Sequence, residues 1–273
     1  MSEPTIERLD EVWADVATLC DGLSVEQWAT ATDCPGWSVH DNVAHMIGTE
    51  RMLLGEQPGS ETAGAGDAAH VRNDIGKANE QWIAMYRDWD GPAIVTELRA
   101  VTGRRLDGLR AMSPEEWDRE GFTPEGPGPY RQFMEIRVFD CWFHDQDIRE
   151  ALDRPGFLDG PVADLSIGRI PPKALGYVVG KKAGAPPGST VVFEVAGTAP
   201  ITAAIEVPPE GRARLLDAVP DAPTARVVTD RRTFARLAGG RWSGDRARAE
   251  GSVAVDGDLD LANRVVDNLG FTI

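Results

Sequence analysis

The chain has 273 residues, with 28 Lys and Arg against 44 Asp and Glu, a formal net charge of −16. Such an acidic balance excludes a partner bound mainly through phosphates, because a duplex or an anionic bilayer would be repelled over most of the surface. Met1-Ser2-Glu3-Pro4 carries no basic or apolar leader run, no apolar stretch nears the roughly 20 residues that span a bilayer, and Cys20, Cys34 and Cys141 are too few and too scattered for a disulfide framework.

A cytoplasmic protein with neither nucleic-acid nor membrane partners is therefore expected, as a monomer or a homodimer. In the first half, Ile6, Leu9, Val12, Trp13, Val16, Leu19 and Cys20 recur at the spacing of an amphipathic helix, which Gly22 ends. Ser24-Val25-Glu26-Gln27-Trp28 reads as a short helical turn, and Asp33-Cys34-Pro35-Gly36-Trp37 as a tight turn. Ser38 stands at an N-cap, with Asp41 three residues on as its capping-box partner, and opens a helix to about Leu54. Residues 55–68, rich in Gly, Ser and acidic groups, read as a mobile loop. Helices follow from Val71 to Trp89 and from Pro92 to just before Ser113. Alternating Pro and Gly force a loop over residues 123–129, and a last helix runs from Tyr130 to about Leu152.

The second half changes character. Thr190 to Gly197 and Ile201 to Val207 pair as a hairpin, Ala225 to Thr229 is a third strand, and Arg231–Ala238 and Leu259–Leu269 are helices. The fold class expected is α+β in two domains: a helical bundle over residues 1–158 and an α+β domain over 159–273.

Only four histidines are present: His40, His45, His70 and His144. Asp140 and His144 lie four residues apart, so at about 100° per residue they share a helical face with Phe133, Ile136, Cys141 and Ile148. A carboxylate aimed into an apolar stripe needs a metal, a cation or donors around it. An inward D-x-x-x-H pair is how helical bundles supply two metal ligands, and a plain Asp–His hydrogen bond is the other reading that the spacing leaves open. His45 falls off the main stripe of its helix (Val39, Val43, Met46, Ile47, Leu54) and shares a second face with Asp41, Thr49 and Met52. Its spacing alone marks it as a surface residue. Asp147 is read as a structural partner of Arg137, Cys34 and Cys141 as packing thiols, and His40 as pointing elsewhere.

The string Cys34-Pro35-Gly36-Trp37-Ser38-Val39-His40-Asp41-Asn42-Val43-Ala44-His45 resembles the opening of the second helix in DinB-like proteins, and more narrowly in the mycothiol-dependent maleylpyruvate isomerase family. Residues 137–149 are similar to that family's last bundle helix. Three C-terminal stretches (residues 229–234, 237–241 and 257–262) are similar to its sterol-carrier-like α+β domain. The resemblance implies a DinB-like four-helix bundle in which His45, Asp140 and His144 hold a divalent metal, although the isomerases proper carry a glutamate where this chain has Asp140. An N, N, O set leaves a coordination position free and suits zinc best.

A thiol at such an ion loses its proton. The resemblance therefore implies a mycothiol-dependent isomerase or S-transferase, isomerase favoured, acting on a small electrophile. Arg241 is a candidate catalytic clamp for a substrate carboxylate, whereas Arg231 and Arg232 are read as flanking a helix start. Two other classes stand beside this: a non-catalytic small-molecule or lipid binder with a structural metal, and a metal-dependent hydrolase with Asp41 or Glu50 as general base.

Overall fold

A computed structural model describes residues 3–62 and 64–272; Ala63, within the loop expected over residues 55–68, lies outside them. The chain divides into two compact units, Met1–Gly156 and Phe157–Ile273. Together they are α+β, with helices throughout and a sheet confined to the second apart from one two-residue ladder in the first.

The first unit is built on α1 (Pro4–Leu19), α2 (Val25–Trp28), α3 (Val39–Leu53), α4 (Asp74–Tyr86), α5 (Gly91–Ala111), α6 (Pro114–Trp117) and α7 (Tyr130–Ala151). Pro4 opens α1, where its missing N–H costs nothing. The Ser38 and Asp41 side chains form the expected capping box of α3. The third helix starts later than its pattern suggests, because the Asn73 side chain accepts from the Gly76 N–H at 2.8 Å and fixes the N-terminus there. Residues 55–68 are not wholly irregular, since Ser60–Thr62 and Ala65–Asp67 form single 3-10 turns. A short ladder, β1 (Glu120–Gly121) with β2 (Gly128–Pro129), closes the Pro/Gly loop.

Helix α1 packs on α5 and α7, and α3 packs on α4, α5 and α7. Between them Leu9, Val43, Ile47, Ile83, Ile94, Leu98, Trp142 and Ile148 are fully buried. Each such aliphatic or aromatic side chain contributes about 1.5–3 kcal/mol by leaving water.

One polar seam crosses the α1–α7 contact. Asp145 is fully buried, accepting from Arg149 Nε at 2.9 Å and Gln146 Nε2 at 3.0 Å, and Arg149 also donates to Asp15. The Asp145 Oδ1 has no donor among the described residues, yet Asp15 is within hydrogen-bonding reach. Burial, with Asp15 adding to it, holds the Asp145 carboxyl well above the usual carboxylate range. A proton retained on Oδ1 would give that oxygen a hydrogen bond to make and relieve the repulsion between two neighbouring carboxylates.

The second unit opens with α8 (Pro161–Gly168), then two π-wound segments, Pro171–Leu175 and Val178–Lys182. Its five-stranded sheet runs β5-β4-β3-β6-β7. The expected hairpin is β3 (Thr190–Ala196) with β4 (Ile201–Glu206), in register from Thr190↔Glu206 to Val195↔Ile201. Short β5 (Arg214–Leu215) edges β4. The third strand, β6 (Ala225–Asp230), runs parallel to β3, and β7 (Val253–Gly257) is antiparallel to β6. Helices α9 (Arg231–Ala238), α10 (Gly244–Ala249) and α11 (Leu259–Asp267) complete the unit, with Phe193, Val227, Phe234, Leu237, Leu261 and Val265 in its core. No helix among the described residues is long and apolar enough to cross a membrane.

Replacing Asp145 by Asn keeps a donor toward Asp15 and removes the ionisation. The folded pKa of Asp145 lies above its unfolded value, so the wild type loses stability as pH rises from about 4 through the folded pKa. Asp145→Asn is expected to melt above the wild type at pH 8, with the gap closing towards pH 4, as read by thermal denaturation across pH.

Candidate metal centre

Two helices supply the site. Helix α3, fixed at its start by the Ser38 cap, carries Asn42, His45 and Glu50; α7 carries Arg137, Asp140, His144 and Asp147. His45, whose spacing read as a surface position, is 4% exposed, because its face of α3 packs against α7. His144 is 6% exposed, whereas the Asp140 side chain is 31% exposed and forms the open edge of the group.

The His45 Nε2 lies 3.2 Å from Asp140 Oδ2, and the His144 Nε2 lies 3.6 Å from Asp140 Oδ1. The two imidazole rings are 4.8 Å apart between centroids, and the three ligand atoms all fall within 4.8 Å of one another. Zinc bonds of about 2.0–2.1 Å in a tetrahedron place ligand atoms roughly 3.3–3.4 Å apart. The two histidine–carboxylate separations stand near that value, each to its own Asp140 oxygen, and the whole group lies within 4.8 Å, so the donor set suits a small divalent ion.

Ring orientation is fixed from behind. The His144 Nδ1 is 2.7 Å from Asn42 Oδ1 and 3.4 Å from Asp147 Oδ2, which makes Nδ1 the protonated nitrogen and leaves the Nε2 lone pair facing Asp140. A second group, Cys34, His144 and Asp147, is equally close-set, but it is wholly buried and draws on a histidine whose Nδ1 already serves Asn42. Burial pulls the His45 imidazole below its ordinary value. For His144, burial acts the same way but the Asp140 and Asp147 carboxylates outweigh it and raise the group. Burial pushes the Asp140 carboxyl upward, and Arg137 with the two histidines overcomes this and holds it well below the usual range.

Arg137 does not pair with Asp147, as expected from sequence, but with Asp140 (Nη1 to Oδ2, 2.5 Å) and Glu50 (Nε to Oε1, 2.9 Å). Ten residues of helix separate Arg137 from Asp147 by about 15 Å, beyond the reach of one side chain, while Asp140 is less than a turn away. Arg105 on α5 takes the other Glu50 oxygen at 2.9 Å and the Tyr130 hydroxyl at 3.0 Å. Glu50 and Asp41, the two candidate general bases, are thus engaged, one buried between guanidiniums and the other in the α3 cap.

The Cys141 thiol accepts from Trp13 Nε1 at 3.3 Å, and burial pushes it up to about 12. His40 turns to the Trp89 carbonyl at 3.1 Å. In the second unit, Arg241 donates to the Gly239 carbonyl at 3.1 Å. Sequence reasoning missed Trp37 as a wall of the site: its ring lies 4.9 Å from His45 and 5.4 Å from His144. It missed Asn42 as well, for which the i, i+3 spacing to His45 was the available signal.

The family model for the mycothiol maleylpyruvate isomerase N-terminal domain matches residues 9–149. The chain belongs to that family. Crystal structures of a mycothiol-dependent maleylpyruvate isomerase and of its histidine-to-alanine mutant share the fold, at 15% and 16% identity with TM-scores of 0.53 and 0.55. Each covers 93% of this chain and 92% of its own. A sterol carrier protein 2 from Yarrowia lipolytica overlaps 41% of this chain and 94% of its own at 16% identity, with a TM-score of 0.27. Uncharacterized proteins of two Mycobacterium tuberculosis strains are 25% identical over 142 residues, half of this chain, and the chain spans about half the length of these curated relatives.

Removing Glu50 would take a buried carboxylate from two guanidiniums at once, leaving Arg137 with Asp140 and Arg105 with only the neutral Tyr130 hydroxyl and Met134 thioether. Glu50→Ala is expected to cost about 3–5 kcal/mol in urea denaturation, the range for breaking a buried ion pair on one side; a loss below about 1 kcal/mol would show that Arg105 and Arg137 find other partners.

Proposed function

We propose that His45, Asp140 and His144 hold a divalent ion, zinc by their donor chemistry, and that the protein is a mycothiol-dependent isomerase or S-transferase acting on a small electrophile. The observation that carries this reading is the convergence of two imidazole Nε2 atoms on a carboxylate that is itself one-third exposed. That arrangement gives three protein ligands and one side open to a small molecule, the form of a catalytic rather than a structural zinc site. The bound ion would supply acidity, so that a thiol presented to it is deprotonated at neutral pH. Membership of the family supports mycothiol as the thiol and isomerisation as the favoured outcome.

The chain's own residues have distinct parts in this. Asn42 and Asp147 hold the His144 ring with its Nδ1 protonated, so that Nε2 is the ligating atom. Arg137 orients the Asp140 carboxylate and offsets part of its charge, so that a bound ion would keep more of its positive charge toward an incoming thiolate. With Glu50 and Asp41 both engaged, the hydrolase reading loses its two general bases. Arg241 is assigned as the clamp for a substrate carboxylate, and the cytoplasm as the compartment where the thiol stays reduced.

Protein purified without chelator is expected to carry about one zinc per chain, and His144→Ala to lose metal and activity together. Full metal retention in His144→Ala would overturn the ligand assignment. Mass spectrometry of the product separates the two reactions, because isomerisation leaves the substrate mass unchanged and S-transfer adds the thiol. Arg241→Lys is expected to raise KM for a carboxylate-bearing substrate about tenfold at unchanged metal content, as bidentate contact is lost.

A further inference from the structure

Glu80, on α4, is 4% exposed and lies on neither the ligand-bearing helices nor the Arg137 network. A single oxygen of this carboxylate, Oε1, takes two hydrogen bonds of 2.7 Å each: one donated by the Trp37 indole Nε1, the other made with the His70 Nε2. Because Oε1 already accepts from Trp37, His70 contributes the proton of the second bond, and Glu80 serves as acceptor to both. The Trp37 ring in turn lies tilted against both imidazoles of the metal centre, by 38° against His45 and 36° against His144. A chain of contacts thus runs from the segment 64–72 through His70, Glu80 and Trp37 to two ligand rings.

An independent feature ties the same segment to the same turn. Gly36 has φ of +83°, and a Cβ built there would stand 2.3 Å from the His70 Nδ1. The imidazole of His70 occupies the place that any other side chain would take, directly beside the turn that delivers Trp37. Nothing in the packing of α4 requires a buried carboxylate at residue 80. Its two partners account for it.

We propose that Glu80 and His70 are positioning residues of the metal centre: acting through Trp37, they set the orientation of the His45 and His144 rings and latch the segment 64–72 onto the Cys34–Trp37 turn. The proposal rests on the metal reading above, and its test separates the two. Zinc affinity is measured by competition with a chelating dye, on the full chain. Glu80→Ala and Trp37→Phe are each expected to weaken zinc about tenfold, the lower end of the effect of removing a partner that orients a ligand. Because both act through one contact, the double variant should again lose about tenfold rather than a hundredfold. Glu80→Gln, which keeps an oxygen for the indole N–H, should bind within about twofold of the wild type.

Hydrogen exchange supplies a readout that does not depend on metal. Amides of residues 64–72 are expected to exchange about tenfold faster in both His70→Ala and Glu80→Ala, as the latch opens. Wild-type zinc affinity in Glu80→Ala, additive losses in the double variant, or a Glu80→Gln as weak as Glu80→Ala would each overturn the positioning role. If Glu80→Ala does not fold, Trp37→Phe and His70→Ala decide between these outcomes. If the wild type itself binds no zinc while His70→Ala still releases residues 64–72, the metal reading fails and the latch stands; unchanged exchange in His70→Ala removes the latch.

Discussion

The guanidinium of Arg137 is shared between Glu50 of α3 and Asp140 of α7, and Glu50 is shared in turn with Arg105 of α5. Two cations and two anions alternate, so charges that would each cost several kcal/mol to bury alone are neutralised in a row. Three helices meet on this row, and the carboxylate at its open end is the one that faces both histidines. The site's geometry is therefore inseparable from the ion-pair row beneath it: the Asp140 carboxylate is held where it is because Glu50 and Arg105 hold Arg137. The imidazoles are held differently, by neutral amide, carboxylate and indole contacts.

Much of this was legible from residue spacing, and the exceptions have physical causes. Asp140 and His144 declare themselves because a polar pair four residues apart breaks an otherwise apolar face. His45 does not, since the face it occupies on α3 is buried by α7, and periodicity within one helix cannot report which of its faces meets another. The motif resemblance singled it out where spacing did not. Arg137 was misassigned to Asp147 because angular position on a helix was weighed without the rise along it. Trp37 and Glu80 escaped notice for a similar reason, as they meet only after a loop and a helix have been laid over the turn.

In the second unit the hairpin β3–β4, strand β6 and helices α9 and α11 follow from alternation and amphipathic spacing. Strand β7 was missed: half-exposed Val-Ala-Val between Ser252 and Asp256 has too little contrast to stand out. Helix α8 and the segments after it were missed because Pro171-Pro172 reads as a break, whereas the chain absorbs both prolines in wider π-turns. The parallel pairing of β3 with β6 could not be read from either strand, since register across 30 or more residues is a property of the packed sheet.

The hydrogen-bonded pair His45–Asp140 spans 95 residues of sequence, and Asn42–His144 spans 102. A ribosome adding roughly 5–20 residues per second therefore presents His45 some 5–20 s before its partners on α7 exist. During that interval the first helices have neither the ion-pair row nor the His45–Asp140 and Asn42–His144 contacts to organise them. On the proposed reading of the site, metal selection would thus be deferred until the bundle has closed, when the spacing of the finished group, and not the order of encounter, would decide what is kept.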